Sequence, residues 1–122
     1  CKAIRRNRQR PCGQVLNHES LARLGAVLER YSRVRPDTVA AIRLLLLTGA
    51  RPGEIFRLRW DEVDGDRLML PRAKRGPRAV ALGTVALAIL RERRKRRGSS
   101  PYVFPHPSRS DQPRSLPTDW TW

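Results

Sequence analysis

Residues 44–64, LLLLTGARPGEIFRLRWDEVD, place an apolar helix, a helix stop and a new helix start in direct succession. The run TVAAIRLLLLTGA (38–50) is apolar almost all round. At about 12 residues such a helix is too short for a membrane span of ~20, and belongs in the middle of a core. Gly49 ends it. Arg51-Pro52-Gly53-Glu54 then opens a short third helix through Ile55, Phe56 and Leu58. Pro52 suits the first helical position, and Glu54 lies in the first turn, where the positive end of the helix dipole favours an acid.

Upstream, Asn17 is a good N-cap for a first helix, with Glu19 in its first turn. Leu21, Leu24, Gly25, Leu28 and Tyr31 recur at helical steps and predict one apolar stripe, with Arg23, Glu29 and Arg30 on the other face. Arg35-Pro36-Asp37 closes the connection, and Pro36 suits the start of helix two. Residues 1–16 form a basic linker or arm: Lys2, Arg5, Arg6, Arg8 and Arg10 meet no acid, and Pro11 and Gly13 break any helix. Such an arm either lies along phosphates or is simply solvated. The chain begins at Cys1 rather than Met, so a segment upstream is expected to have been removed.

Downstream, DEVDGD reads as a turn around Gly65. Residues 67–70 (RLML) and 79–82 (AVAL) alternate like half-buried strands joined by PRAKRGPR, which predicts a β-hairpin with a cationic tip. A fourth helix is expected from a Thr84 cap to about Arg97, with Val85, Ala86, Ile89 and Leu90 facing inward. Its second half, RERRKRR, carries no apolar residue and is expected to project into solvent or onto DNA. Tyr102-Val103-Phe104 reads as a short strand, and the Pro- and Ser-rich stretch from Pro105 onward as weakly ordered alone.

The fold expected is therefore α+β, mostly helical, with a small antiparallel hairpin or sheet packed on a helical core. A net charge of +15, from 26 Lys and Arg against 11 acids, attracts polyanions, of which nucleic acid is the commonest. Genome composition accounts for some of the arginine, but would not hold the acids so low. No segment approaches a membrane span, and the basic runs lack the large apolar face of an interfacial helix. Cys1 and Cys12 sit in the arm, His18 and His106 stand alone, and no Cys or His pair has metal-ligand spacing. This cysteine usage and the lack of a signal peptide fit a reducing cytoplasm.

The run from Leu44 to Asp64 resembles the first catalytic box of the tyrosine recombinases, the phage integrase family. There an apolar helix ends in Thr-Gly, a small residue precedes the first catalytic Arg, and Glu follows three residues later. Thr48, Gly49, Ala50, Arg51 and Glu54 match in order, and Leu58, Trp60 and Val63 match the downstream pattern. An Arg beside free backbone N–H groups at a helix start is well placed for a phosphate, with Glu54 expected to hold its guanidinium. Alone, Arg51 and Glu54 would equally read as a surface ion pair; the setting distinguishes them.

AKRGPRAVAL (73–82) resembles the family's hairpin box and puts Lys74 in the catalytic position, though the turn is one residue shorter and Ala81 stands where Pro is common. A proton donor with tunable pKa suits Lys better than the neighbouring Arg72 and Arg75. Tyr102-Val103-Phe104-Pro105 is similar to a segment that follows the hairpin in phage-type members.

The resemblance implies that residues 17–122 are the N-terminal portion of an integrase catalytic domain. The second Arg box and the Tyr nucleophile are not in this sequence; His106-Pro107-Ser108-Arg109 only spells the former, and neither Tyr31 nor Tyr102 stands where the nucleophile does. In the family a Tyr hydroxyl attacks the scissile phosphate to give a 3′-phosphotyrosine, without metal or nucleotide cofactor. The resemblance gives Arg51 as a phosphate clamp, Lys74 as general acid, double-stranded DNA as partner, a tetrameric synapse for the complete protein, and a cytoplasmic, nucleoid-associated place in a bacterial or phage-derived setting. Arg72, Arg75, Arg78, Arg93, Arg94, Lys95, Arg96 and Arg97 are assigned to DNA-backbone contacts. The chain alone is expected to be inactive. The rival readings are a non-catalytic helix-turn-helix module and a basic RNA-associated protein.

Overall fold

A left-handed glycine sets the direction of the chain at its centre. In the computed structural model, which describes residues 15–96 and 98–114, α2 (Pro36–Thr48) closes at Gly49 with φ 63°. The Thr48 hydroxyl donates to the Leu44 carbonyl at 2.6 Å and accepts from the Ala50 N–H at 3.2 Å, so the Thr-Gly pair caps the helix end. The chain turns at Ala50, which is buried, and α3 (Pro52–Phe56) begins from the extended N-cap Arg51. Ahead of them α1 (His18–Tyr31) starts where expected, with the Asn17 side chain accepting from the Ser20 N–H at 2.8 Å.

A 3-10 turn, Trp60–Glu62, leads into a sheet of three antiparallel strands in the order β1 (Val63–Asp64), β2 (Arg67–Leu70), β3 (Arg78–Ala81). Gly65, with φ 56°, makes the first turn. Leu68 pairs with Val80 and Leu70 with Arg78, so Leu68 and Leu70 share the face turned to the core. α4 (Thr84–Lys95) returns across α2. The fold is α+β, with four α-helices and one small antiparallel sheet among the described residues.

The core joins Ala41 and Leu44 of α2, Ile55 and Phe56 of α3, Leu58, Trp60, Leu68, Leu70, Leu82, Ala86 and Leu90 of α4, and Val103 and Phe104. Phe56 and Phe104 meet with ring centroids 6.4 Å apart. Among the described residues no helix is long and apolar enough to cross a membrane.

Several sequence expectations are corrected. α2 is not enclosed: Leu46 is 50% and Leu47 49% exposed, because α1, α3 and α4 pack on it and leave part of its surface open. The stripe of α1 buries Leu28 alone, leaving Leu21 and Tyr31 largely open, since α1 packs chiefly on α2. α4 is capped by Gly83 rather than Thr84, and Val85 points outward. α3 stops at Phe56, before Leu58.

Residues 102–104 form no strand; Tyr102 makes an isolated bridge with Arg59, and the Val103 N–H donates to the Leu58 carbonyl at 2.9 Å. The following segment is tied down further than its composition suggests. Arg114 donates backbone N–H to the Phe104 carbonyl at 2.8 Å and its guanidinium to Asp37 at 2.9 Å. His106 through Arg109 lies in this loop and opens no helix. The basic arm lies outside the described residues except for Val15 and Leu16, both exposed.

Candidate functional site

Two elements distant in sequence meet at one cleft. The first is the start of α3, where Arg51 is the N-cap residue and its side chain is exposed. The second is the turn between β2 and β3, where the Gly76 N–H donates to the Ala73 carbonyl at 2.9 Å. Gly76 takes φ 99°, and Lys74 and Arg75 occupy the two central positions of this turn. A short, tight turn holds both side chains out from the sheet.

Between these elements lies a cleft of about 320 Å³ lined by Arg51, Glu54, Arg57, Glu62, Arg72 and Lys74, among others. A neighbouring cleft of about 300 Å³ shares Arg51, Glu54 and Lys74 and adds Gly49, Arg75 and Arg78. Arg51 and Lys74 thus stand where the two clefts join. Among the described residues Arg51, Arg57, Arg72, Lys74 and Arg75 form no ion pair, whereas Arg59, Arg78, Arg93 and Arg114 each do. The carboxylates in the cleft accept their hydrogen bonds from partners other than these side chains. Glu62 accepts from the Arg59 backbone N–H at 2.9 Å, and Glu54 is engaged as follows.

Oε2 of Glu54 accepts the Arg51 backbone N–H at 2.8 Å and Nη2 of Arg78 at 2.6 Å. Its side chain is only 12% exposed. Burial pushes the carboxyl pKa up, but the hydrogen bonds from Arg51 and Arg78 and the charges of both outweigh it and hold the pKa below its ordinary value. This corrects the expectation that Glu54 grips the Arg51 guanidinium. It fixes the backbone of Arg51 and leaves the guanidinium unpaired. The helix N-terminus also offers less than expected. Pro52 has no N–H, and those of Glu54 and Ile55 both donate to the Arg51 carbonyl. With a helix this short, an anion here has to be held mainly by side chains.

The cations assigned to DNA divide. Arg72 and Arg75 flank the clefts. Arg78 is spent on Glu54. Arg94 lies over the Trp60 ring at 5.6 Å, and exposed Lys95 and Arg96 stand 3.5 Å from Glu92. Arg97 lies outside the described residues. Arg93 is the clear correction. Its side chain is 11% exposed, pairs with Asp37, donates to the Val103 carbonyl at 3.0 Å and sits over the Phe104 ring at 5.1 Å. An inward Arg with its own acid is a structural residue.

Arg57 was missed by sequence reasoning, although the alternation of buried Phe56, Leu58 and Trp60 with exposed Arg57 puts it on the outer side. Tyr31 and Tyr102 do not line the cleft. A roomier groove, about 640 Å³, runs between α2 and α4 over Val39, Ala40 and Ile89. Of its arginines, Arg43, Arg93 and Arg96 are each already near an acid and only Arg33 forms no ion pair among the described residues, so it carries less unbalanced charge than the cleft. No group of His, Cys, Asp and Glu among the described residues is arranged to hold a metal ion. Comparison with protein-family models, with curated proteins and with solved structures finds no match for this chain.

Proposed function

We propose that the cleft between α3 and the β2–β3 turn binds a DNA phosphodiester, and that the chain is the N-terminal portion of a tyrosine-recombinase catalytic domain. The observation that carries this reading is that Arg51 and Lys74, picked out on separate motifs, line the same cleft with no acid paired to either. The Arg51 guanidinium presents a planar fork to the nonbridging oxygens and stabilises the charge that builds on phosphorus during attack. The Lys74 ammonium, on the rim of the turn, donates a proton to the departing 5′-oxygen. Arg57, Arg72 and Arg75 hold the flanking backbone without reading sequence.

The nucleophile and the second Arg belong to protein outside this sequence, so the chain by itself binds DNA and leaves it uncut. Leu46 and Leu47, half-exposed on α2, offer an apolar face for that further protein. In the complete enzyme the reaction is metal-free transesterification through a 3′-phosphotyrosine within a tetrameric synapse, in the cytoplasm. A helix-turn-helix reading is less well supported, because α3 has 5 residues, too few to lie along a major groove as a recognition helix.

The test is binding to a labelled duplex followed by fluorescence anisotropy across a salt series. Affinity is expected to fall about tenfold or more between low and moderate salt, and Arg51→Ala and Lys74→Ala each to lower the logarithmic salt slope by about one phosphate contact. Binding that ignores both substitutions, or a clear preference for structured RNA, rejects the proposal.

A further inference from the structure

The cleft has two walls, and a single carboxylate oxygen spans them. Glu54 Oε2 accepts from Arg51, the first residue of one wall, and from Arg78, the residue that begins β3 just beyond the Lys74 turn. Among the described residues, Arg78–Glu54 is the only hydrogen bond between residues 51–56 and the hairpin at 67–82. The pair is half-shielded, with Arg78 43% and Glu54 12% exposed at the side chain. Its ends connect to two of the cations at the cleft: the Arg51 backbone is itself a hydrogen-bond partner of Glu54, and Arg78 begins the strand that leaves the turn carrying Lys74. We propose that Arg78 is a positioning residue, acting through Glu54 to set the opening between Arg51 and Lys74, and that it does not itself contact the phosphate. This inference rests on the proposed phosphodiester site and specifies how that site is assembled.

The two roles for Arg78 differ in sign and in additivity. As a direct contact, Arg78 would add its own phosphate to the salt slope whatever stands at position 51. Removing the acid at Glu54 would then strengthen DNA binding, since a negative charge leaves the cleft. As a positioning residue it has nothing to position once Arg51 is gone, and losing Glu54 weakens binding despite the gain in positive charge.

The experiment measures duplex affinity and salt slope for Arg51→Ala, Arg78→Ala, Glu54→Gln and the double variant Arg51→Ala/Arg78→Ala, with circular dichroism to verify folding. Arg51→Ala is expected to weaken binding about tenfold, and Arg78→Ala and Glu54→Gln about three- to tenfold each. The double variant should match Arg51→Ala within about twofold, with the slope reduced by about one contact rather than two. If Arg78→Ala melts the chain, Arg78→Lys, which keeps a single charged contact to Glu54, takes its place, with an intermediate loss expected that again disappears in the Arg51→Ala background. Additive losses, a slope lower by about two contacts, or tighter binding by Glu54→Gln overturns the positioning role while leaving the phosphate site standing. An Arg51→Ala variant that binds like the parent overturns the site and the inference with it.

Discussion

Arg51 is useful because it is left alone. Its backbone N–H is held by Glu54 while its exposed guanidinium forms no ion pair among the described residues, so the charge stands on a fixed base and acts on Glu54 only through space. The arrangement makes the Glu54 carboxylate part of the fold. Its pKa lies below the ordinary 4.5, so its stabilising contribution is complete above that value and disappears as pH falls through the depressed folded value. Glu54→Gln should therefore be less stable than the parent by about 1–3 kcal/mol near neutrality. The gap should close on acidification, as followed by urea unfolding across a pH series; a gap that is constant with pH would show that charge is not what Glu54 contributes. Gly49 is the second residue with a specific job. A Cβ there meets nothing within 4 Å, so any penalty comes from φ 63° and not from crowding. Gly49→Ala should cost about 1–2 kcal/mol in the same measurement, and Gly49→Asn clearly less.

At the scale of elements, local signals marked most boundaries. Asn17, Pro36, Gly49, Pro52 and the glycines of the two turns act within a few residues of themselves, which is why the helices and the hairpin could be read from sequence. The placement of Arg51 at a helix start and Lys74 in a turn was legible for the same reason. What could not be read was which cations turn inward. Arg93 is indistinguishable in RERRKRR from its neighbours until α4 lies across Asp37, a partner 56 residues away in sequence. The role of Arg78 depends likewise on Glu54, 24 residues before it. Asp37 receives both Arg93 and Arg114 and so joins the start of α2, the end of α4 and the loop that follows Phe104. The Nε atoms of both arginines are buried without a hydrogen-bond partner among the described residues, so the clamp is incompletely satisfied. Asp37→Ala leaves two largely covered guanidinium groups without their acid and should cost about 2–4 kcal/mol. It should also free the last loop, read as faster tryptic cleavage after Arg109; unchanged cleavage would mean that the backbone bonds alone secure this segment.

The whole molecule is unevenly finished. On one side Ile55, Phe56, Leu58, Leu68 and Phe104 close a buried core, and there truncating Leu44 to Ala should cost about 2–5 kcal/mol. On another, α2 keeps Leu46 and Leu47 half in solvent, with Leu21, Val27 and Tyr31 of α1 also largely exposed. Four consecutive leucines carry the apolar surface of α2 round the helix near its end, and the described residues cover only part of it. Charge opposes the consequence: at +15 the molecules repel one another, and that repulsion is screened over a Debye length of about 8 Å at physiological salt. Self-association through the open leucines should accordingly rise with salt, the opposite trend to DNA binding. Replacing Leu46 and Leu47 together by Gln should abolish the salt-induced association while shifting stability by about 0.5 kcal/mol or less per site, because neither side chain completes the core. Analytical ultracentrifugation at low and high salt separates the cases. Association that persists in the double variant would locate the sticky surface elsewhere, and a large loss of stability would mean that these leucines are packed more tightly than their exposure indicates.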